Sequence, residues 1–536
     1  MLNIFERLKT HPGIILTAIA ILLPFALFVN LGLMPLISDE PTRAIVTLEM
    51  LISGNYINPT INGEFYYNKP PLFNWILAAY TQMSGNMSEF ILRLPTVVSL
   101  LLMGLVMFLM SRKSLGRNNA LIVSLMWITS ARILFWDSFQ GLIDITYAMV
   151  TLTSFAVLFY YSQKRNWMAL FVLTYALAAC GYMMKGLPSI AFQGISLLVW
   201  LTYEKNFRKL FSWQHIAGIA IFILITGSYY FAYLQTNSLD DVFATLFDQS
   251  NRISDKEGSL LSWSKHLIMF PLEMSYEFAP WTILLLLLID KRVRQVIFKD
   301  KLIIFSSLIF ISNIIIYWIS ADMRPRYLFM LFPLLYIVLI KAYNVSSDSR
   351  TLLIKIVDVI IIVLAFSGSF SLLIYLFWAE TKDMTGVWVI IGTLFIISAS
   401  SAFIALKMPG NRLLMLIIVM LSVRIAFNTF NLPARYNSYP DAGYRQGEIV
   451  AGQLVKGKST FILGDSPFNH DASFYISRES GQIITRTREI SDNEAYYITD
   501  EKNLVNFADK LNNYEVLHEF TIKLNETRLL LIKKPL

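Results

Sequence analysis

The chain has 536 residues, of which 55% are hydrophobic and only 15% are charged, and this composition excludes a soluble enzyme. The formal net charge of +8 does not indicate nucleic-acid binding, because the 13 basic and 14 acidic residues from 432 to 536 nearly balance and the surplus lies in the apolar part of the chain. The single cysteine, Cys180, excludes an intrachain disulfide bond and a thiolate metal cage.

Apolar runs of about 18 or more residues recur along the chain, each long enough to cross a hydrocarbon core of about 30 Å. The first run is too long for the apolar part of a signal peptide, and no small-residue cleavage site follows it, so we expect an uncleaved helix. We predict a polytopic α-helical membrane protein with about thirteen transmembrane helices, near residues 14–37, 89–111, 115–131, 140–161, 167–182, 187–203, 214–236, 275–290, 301–320, 325–342, 351–378, 385–407 and 411–430.

Basic residues in the connecting segments test this arrangement, because cytoplasmic loops are rich in Lys and Arg. Such residues cluster on one predicted side of the membrane, within 112–117, 164–165, 205–209, 291–294, 341–355 and 407–412. The pattern predicts a cytoplasmic N-terminus. It also predicts a transmembrane domain over 1–431 with outer loops at 38–88 and 236–275.

The last segment, 432–536, differs in character because its density of aliphatic residues is lower. Short runs rich in β-forming residues alternate with helical patterns, and this alternation is typical of a small α/β domain. An odd number of crossings places this domain on the periplasmic side. The expected strands are 460–463, 495–498, 516–522 and 528–532, and the expected helices are 446–455 and 503–511.

The first outer loop carries the densest set of polar residues, in the sequence SDEPTRAIVTLEMLISGNYINPTINGEFYYNKPP from 38 to 71. Asp39 and Glu40 follow the first apolar run, and Asn62-Gly63 predicts a hairpin turn. Lys69 precedes two prolines, which restrict its backbone, and an ammonium held beside tyrosines at the head-group boundary suits an anionic phosphate. The structural alternative is a helix end and an interfacial aromatic belt with a snorkelling lysine.

Two further acids and a lysine lie at the ends of apolar runs. Asp137 and Asp144 flank the start of the fourth run, and Asp144 is the deeper of the two. Carboxylates at or inside a membrane boundary are costly, so they indicate a functional site. Lys185 is the comparable cation, and its alternative interpretation is a helix cap or a snorkelling anchor.

Two more outer segments carry charge. The loop 236–275 contains Asp248 and Arg252, although a charged outer loop is usually a solvated surface. The sequence Arg324-Pro325-Arg326-Tyr327 opens the tenth run, and its guanidiniums suit bidentate contact with a phosphate. Acids and cations thus gather on one predicted side of the membrane.

Several common motifs are absent from the sequence. The five histidines form no H-x-x-x-H or H-E-x-x-H pair, so a histidine-based metal centre is not expected. There is no Walker loop, no G-x-G-x-x-G opening a helix and no G-x-S-x-G elbow. A reaction driven by a nucleotide is therefore not expected either.

The loop resembles a known family, the polyprenyl-phosphate-dependent glycosyltransferases of the GT-C superfamily, in particular the bacterial aminoarabinose (lipid A) transferases and their protein O-mannosyltransferase relatives. The match runs from residue 39 to residue 75 and extends more loosely through later positions. It rests on Asp39-Glu40, Glu49-Met50, Gly54, Asn62-Gly63, Tyr66 and Lys69-Pro70, followed by Asp144, Lys185-Gly186, Arg252 and Tyr327. The resemblance implies the GT-C fold, with about thirteen helices and an outer α/β tail.

The resemblance also implies roles for individual residues. The acids Asp39, Asp144 and Glu40 are the catalytic candidates, with Asp39 acting on the acceptor. The residues expected to hold the lipid phosphate are Lys69, Arg252, Tyr66, Tyr327, Arg43 and Arg324. Further candidates for the cavity are Lys185, Asp248 and Asn68.

Three positions depart from the family pattern. Asn68 stands where the family has Glu before Lys-Pro, and Gln249 stands where it has His. The sequence therefore gives no certain cofactor and leaves the divalent metal suggested for the relatives open. Arg43 is displaced by one position from the family's arginine after Asp-Glu.

The expected activity is transfer of a sugar, with inversion, from a polyprenyl (undecaprenyl) monophosphate donor to an acceptor outside the bacterial inner membrane. The acceptor stays open among lipid A, a glycan and a protein, and no nucleic-acid partner is expected. The alternative from another class is a lipid or solute transporter, which predicts charges near mid-span and an inverted repeat. A receptor that senses through the tail is a third interpretation, but an inner signalling domain is not evident in the sequence.

Overall fold

The computed structural model describes residues 13–251, 260–320, 323–382, 384–511 and 513–534, with side chains described outside 246–251 and 260–262. Helices dominate up to residue 454, and the tail adds strands. The helices of the first half are α1 (Gly13–Phe28), α2 (Glu40–Ser53), α3 (Leu72–Ser84), α4 (Glu89–Leu115), α5 (Arg117–Ile128), α6 (Ala131–Phe135), α7 (Ile143–Gln163), α8 (Trp167–Lys185), α9 (Pro188–Tyr203), α10 (Trp213–Leu234), α11 (Asp240–Asn251) and α12 (Leu260–Glu277).

The remaining elements follow in chain order. The helices are α13 (Lys291–Ile297), α14 (Lys301–Ile319), α15 (Phe332–Asp348), α16 (Leu352–Ser371), α17 (Val387–Lys407), α18 (Arg412–Ala426), α19 (Leu432–Ser438), α20 (Asp441–Leu454), α21 (His470–Ser480), α22 (Glu501–Asn506) and α23 (Ala508–Leu511). The strands are β1 (Thr60–Ile61), β2 (Glu64–Phe65), β3 (Thr460–Leu463), β4 (Thr485–Thr487), β5 (Ala495–Thr499), β6 (Glu515–Ile522) and β7 (Thr527–Lys534).

The apolar helices make the chain a multi-pass membrane protein. Within the described ranges, 8 helices are long and apolar enough to cross a membrane, or 9 if α5 and the bent segment 131–139 form one span. The helices α1 and α9 are apolar but shorter. The expected span at 275–290 is divided between the end of α12 and a 3-10 helix, Trp281–Ile289. The number of thirteen crossings therefore stays a prediction.

The tail contains a five-stranded sheet in the order β4-β3-β5-β7-β6, so the expected α/β character is confirmed. The strand β3 runs parallel to β4 and β5, whereas β7 is antiparallel to β5 and β6. An apolar core lies between this sheet and the helices α20 and α21, and it includes Ala451, Ile462, Ile476, Ile498 and Leu531. The strand β4 was missed because it is only three residues long and mostly polar.

The tail helix α21 packs directly on the membrane part. Phe474 and Tyr475 belong to the same apolar core as the membrane helices. The Tyr475 hydroxyl accepts a hydrogen bond from the Leu36 amide at 3.1 Å and donates one to Glu89 at 3.0 Å. The tail is thereby fixed beside the N-terminal end of α2, where the acidic pair lies.

The helix α2 and the hairpin after it are set by local sequence. Proline at the start and Gly54 with φ of +70° at the end define the helix. Asn62 and Gly63 both have positive φ, which confirms the expected hairpin turn between β1 and β2. The buried Glu49 carboxylate accepts hydrogen bonds from the Thr60 hydroxyl at 2.6 Å and from the Asn62 and Gly63 amides at 2.5 and 3.2 Å. Glu49 therefore ties the hairpin to α2 and positions the residues that follow.

Candidate active site

Asp39 lies immediately before α2, with 60% of its side chain exposed. Its Oδ2 accepts a hydrogen bond from Arg326 Nη2 at 2.7 Å. Arg326 belongs to a 3-10 turn, Pro325–Leu328, and its side chain is buried. One acid of the expected site is thus open to a ligand while an arginine from a distant part of the chain holds it in place.

Asp144 lies in the first turn of α7, where the helix dipole favours a negative charge. Its carboxylate is buried and pairs with Lys185 Nζ at 2.5 Å, and it approaches Arg326 Nε at 3.7 Å. Lys185 also lies over the ring of Tyr327, 4.5 Å from its centroid, which adds a cation–π contact. Arg326 therefore connects the two acids, and Asp144 contacts both Lys185 and Arg326.

A second set of side chains comes from the first outer loop. Arg43, one turn after Asp39 on α2, donates from Nη2 to the Tyr66 hydroxyl and from Nη1 to the side-chain Oδ1 of Asn74 at 3.4 Å. The side-chain Nδ2 of Asn74 donates a hydrogen bond to the Arg43 backbone carbonyl at 2.9 Å. Arg43 and Tyr66, both candidates for phosphate binding, are therefore in direct contact.

Lys69 is half-buried and belongs to the same electrostatic cluster. Burial lowers the pKa of Lys69 to about 8, helped by the neighbouring Lys185 and Arg43 and opposed by Asp144 and Asp39. Four cations, Arg43, Lys69, Lys185 and Arg326, thus share a region with two carboxylates. When Lys69 is protonated, the cluster has a surplus of two positive charges, which suits an anion such as a phosphate.

The tail contributes a histidine to the rim of this cluster. His470, at the start of α21, lies 2.8 Å from the Thr42 hydroxyl through Nδ1. Burial and the nearby Arg43 lower the pKa of His470, so the imidazole stays neutral to lower pH than usual. The sequence offered no signal for this residue, because it is 428 positions from Thr42.

Glu40 does not face the cluster, in contrast to its expected catalytic role. Its carboxylate is 2% exposed and pairs with Arg93 through two contacts, at 2.8 and 2.9 Å. It also accepts hydrogen bonds from the amides of Ile37 at 2.8 Å and Gly141 at 2.5 Å. Because both oxygens are occupied inside the protein, Glu40 joins the start of α2 to α4 and has a structural role.

Glu40→Ala should therefore lower the free energy of unfolding by about 3–5 kcal/mol, because it leaves the Arg93 guanidinium buried without its partner. Thermal unfolding of the detergent-solubilised protein measures this loss. Glu380→Ala removes an exposed carboxylate and serves as the control, with an unchanged unfolding temperature. A Glu40→Ala protein that is stable but inactive would instead support a catalytic role for Glu40.

Arg324, expected to hold the phosphate, has an exposed side chain, and the neighbouring Arg326 makes the contacts to the acids. Tyr327 lies beside Lys185, and its role in phosphate binding stays a prediction. Asn68 is exposed. Asp248 and Gln249 lie on α11, but their side chains are outside the described part of the structure, and so is Arg252.

Arg326→Gln should lower kcat/KM for transfer by about 10- to 100-fold, since it removes a charge-assisted hydrogen bond from Asp39. Arg324→Gln, two positions away, is the matched control and should stay within about twofold of the wild-type value, because its side chain is exposed. Steady-state kinetics of the two variants shows which arginine supports transfer. Equal losses of kcat/KM in both variants would argue against a special role for Arg326.

The residues that the structure describes contain no group of three or more His, Cys, Asp or Glu side chains arranged to hold a metal ion. The charged side chains described in the site are instead two acids, Asp39 and Asp144, and the lysines and arginines around them. The excess of cations supports binding of an anion by side chains of the protein itself.

Parts of the chain are similar in sequence to known transferases. A family model described as dolichyl-phosphate-mannose-protein mannosyltransferase matches residues 68–231. An undecaprenyl phosphate-alpha-4-amino-4-deoxy-L-arabinose arabinosyl transferase of Edwardsiella ictaluri is 26% identical over 189 residues, covering 35% of this chain and 34% of that protein. A similarly named protein of Proteus mirabilis is 27% identical over 189 residues, covering 34% of each chain. The alignments thus span about a third of the length of these relatives.

The similarity in structure extends over nearly the whole chain. The crystal structure of ArnT from Cupriavidus metallidurans bound to undecaprenyl phosphate superposes with a TM-score of 0.70 and 18% identity, covering 97% of this chain and 98% of that one. The apo structure of the same protein gives the same TM-score. The chain therefore has the fold of ArnT, and the resemblance to GT-C polyprenyl-phosphate-dependent glycosyltransferases that the sequence of its first outer loop indicated is confirmed.

Proposed function

We propose that the protein is a membrane glycosyltransferase that moves a sugar from a polyprenyl monophosphate, such as undecaprenyl phosphate, to an acceptor outside the inner membrane. The observation that supports this most is the cluster of four cations around Asp39 and Asp144 at the ends of apolar helices. The relatives' names specify undecaprenyl phosphate-linked aminoarabinose, so this is the first donor to test.

The reaction is a single displacement. An acceptor hydroxyl attacks the anomeric carbon, the bond from that carbon to the phosphate oxygen breaks, and its electron pair stays on the phosphate. Asp39, which is mostly exposed, takes the hydroxyl proton. Because the nucleophile enters opposite the leaving group, the anomeric configuration inverts.

The cations act on the leaving group. Lys69, Arg43, Lys185 and Arg326 stabilise the negative charge that develops on the phosphate, so that a general acid is not required. Asp144 keeps Lys185 and Arg326 in position through ion pairs at 2.5 and 3.7 Å. Tyr66 accepts a hydrogen bond from Arg43, and the ring of Tyr327 contacts Lys185, so each tyrosine restrains one of the cations.

The proposed orientation puts the N-terminus in the cytoplasm and the α/β tail in the periplasm, which brings Asp39 and the tail to the same outer face. The acceptor is a lipid such as lipid A, a glycan or a protein. Transport of a lipid or solute is the alternative. The charges at the start of α7 and the end of α8 favour a surface reaction over a path through mid-span.

The test is transfer of label from radioactive undecaprenyl phosphate-linked sugars by the purified protein in proteoliposomes, with lipid A, a glycan and a protein as acceptors. Label in one acceptor, with the opposite anomeric configuration, supports the proposal. Movement of the labelled lipid across the bilayer without transfer to any acceptor would support transport instead.

A further inference from the structure

A second polar pocket, with room for about one water-sized group, lies at the junction of the tail and the membrane part. Pro35 and Leu36, between α1 and α2, form one side. The other side comes from the tail and carries three carboxylates, on Asp441, Glu448 and Asp471. The helix α20 begins just after the last long apolar segment, Pro409–Ser438, so the pocket lies near the level of lipid head groups.

Glu448 is the unusual member of this pocket. Its side chain is 1% exposed, and Oε1 has no hydrogen-bond partner within the part of the chain that the structure describes. Burial and the neighbouring Asp471 raise the pKa of Glu448 well above its ordinary value. A buried carboxylate without a partner is costly, and a ligand that donates hydrogen bonds would satisfy it.

The two basic residues of the pocket each pair with another carboxylate. Lys523 Nζ pairs with Asp441, inside the pocket, at 2.9 Å, and Arg445 Nη2 pairs with Glu89 at 2.8 Å. The charge of Lys523 lowers the pKa of Glu448, but burial raises it by more. Among the described residues, Glu448 therefore forms no ion pair of its own.

Asp471 completes the acidic side of the pocket. It accepts a hydrogen bond from the Asn469 amide at 3.2 Å, and burial raises its pKa to about 6. The described residues hold no set of three acids, histidines or cysteines with the geometry of a metal site, so a divalent cation fits this pocket poorly. A singly charged group with several N–H donors suits Glu448 and Asp471 together.

We propose that this pocket binds a primary ammonium group, placed against Glu448 and Asp471 and carried by a lipid head group or by a small soluble amine. Tyr444 also lines the pocket and offers aromatic surface to such a cation. The inference is independent of sugar transfer, because none of these residues belongs to the cluster around Asp39.

The experiment measures thermal unfolding of the full-length protein. Ethanolamine is added to the detergent-solubilised protein, with choline at equal ionic strength as the trimethylated control that has no N–H donors. A second arm compares nanodiscs of phosphatidylethanolamine with nanodiscs of phosphatidylcholine. A rise of about 3 °C or more with ethanolamine indicates a soluble amine, and a rise only with phosphatidylethanolamine indicates the lipid.

Glu448→Gln keeps the shape of the side chain but cannot ionise when an ammonium binds beside it, so the rise should disappear in this variant. Asp471→Asn is a second test, and it should raise the amine concentration needed for half of the rise about tenfold. Glu519→Gln, on the surface strand β6 and paired with Arg528, is the matched control and should respond like the wild type.

Three results would overturn the proposal. The first is the absence of an amine-dependent rise in both arms. The second is an equal rise with choline, or an unchanged rise in Glu448→Gln. The third is a rise with Mg²⁺ or Ca²⁺ that depends on Glu448 while the amines have no effect, which would make the pocket a metal site.

Discussion

Asp39→Asn should lower the rate of sugar transfer by about 10²- to 10⁴-fold, the usual contribution of a general base. The amide cannot take the proton of the acceptor hydroxyl. It still accepts a hydrogen bond from Arg326, as the carboxylate does at 2.7 Å. The chemical step is therefore lost while the local geometry is kept.

Single-turnover transfer from a labelled donor measures this effect separately from product release. Asp465→Asn removes an exposed carboxylate of the tail that pairs with Arg488, and it should leave the rate within about twofold of wild type. The unfolding temperature of Asp39→Asn should match the wild-type value, because the Asp39 side chain is mostly exposed. Near-normal turnover by Asp39→Asn would remove Asp39 from the mechanism.

The part of the site that sequence reasoning predicted best lies within one short segment. Arg43 and Tyr66 are in direct contact, because α2 and the Asn62-Gly63 hairpin bring the two ends of the loop together. Turn residues and helix ends are local signals, and a single sequence carries them. The charged character of this loop and its position after the first apolar run therefore indicated the segment that carries Asp39, Arg43 and Lys69, while the other members of the cluster come from distant parts of the chain.

The structure departs most from the expectation where two similar residues are close in sequence. Asp39 and Glu40 are adjacent acids, but the rotation of α2 exposes the first and buries the second against Arg93. Arg324 and Arg326 differ in the same way, since the 3-10 turn buries only the second. Helix rotation depends on tertiary packing, and neither pair has a sequence pattern that distinguishes its members.

The contribution of the tail was also beyond sequence reasoning. His470 and Tyr475 reach α2 and Glu89 from more than 380 positions away. Their helix, α21, carries mixed polar and apolar residues that suit a solvent-exposed surface equally well. The long 3-10 helix Trp281–Ile289 and the bend of 49° after α5 likewise obscure the number of crossings, because hydropathy does not register either feature.

The pH dependence of transfer should report on Lys69. Its pKa is lowered to about 8 in the protein without ligand, so kcat/KM should fall as the pH rises through about 8 and the ammonium loses its charge. An anionic phosphate beside the ammonium favours the charged form and raises its pKa again. The alkaline decline of kcat should therefore lie at a higher pH than that of kcat/KM.

Two substitutions at position 69 separate charge from geometry. Lys69→Met should lower kcat/KM at pH 7 by about 10- to 100-fold, the value of a charge-assisted hydrogen bond. Lys69→Arg keeps a cation that stays protonated above pH 12, so its decline near pH 8 should vanish even where the different shape of the guanidinium lowers the rate. Lys456→Arg, on the exposed side of the tail, is the control and should keep the wild-type profile. If the decline near pH 8 persists in Lys69→Arg, another group is responsible for it. Lys69 is then not the cation whose titration controls phosphate binding.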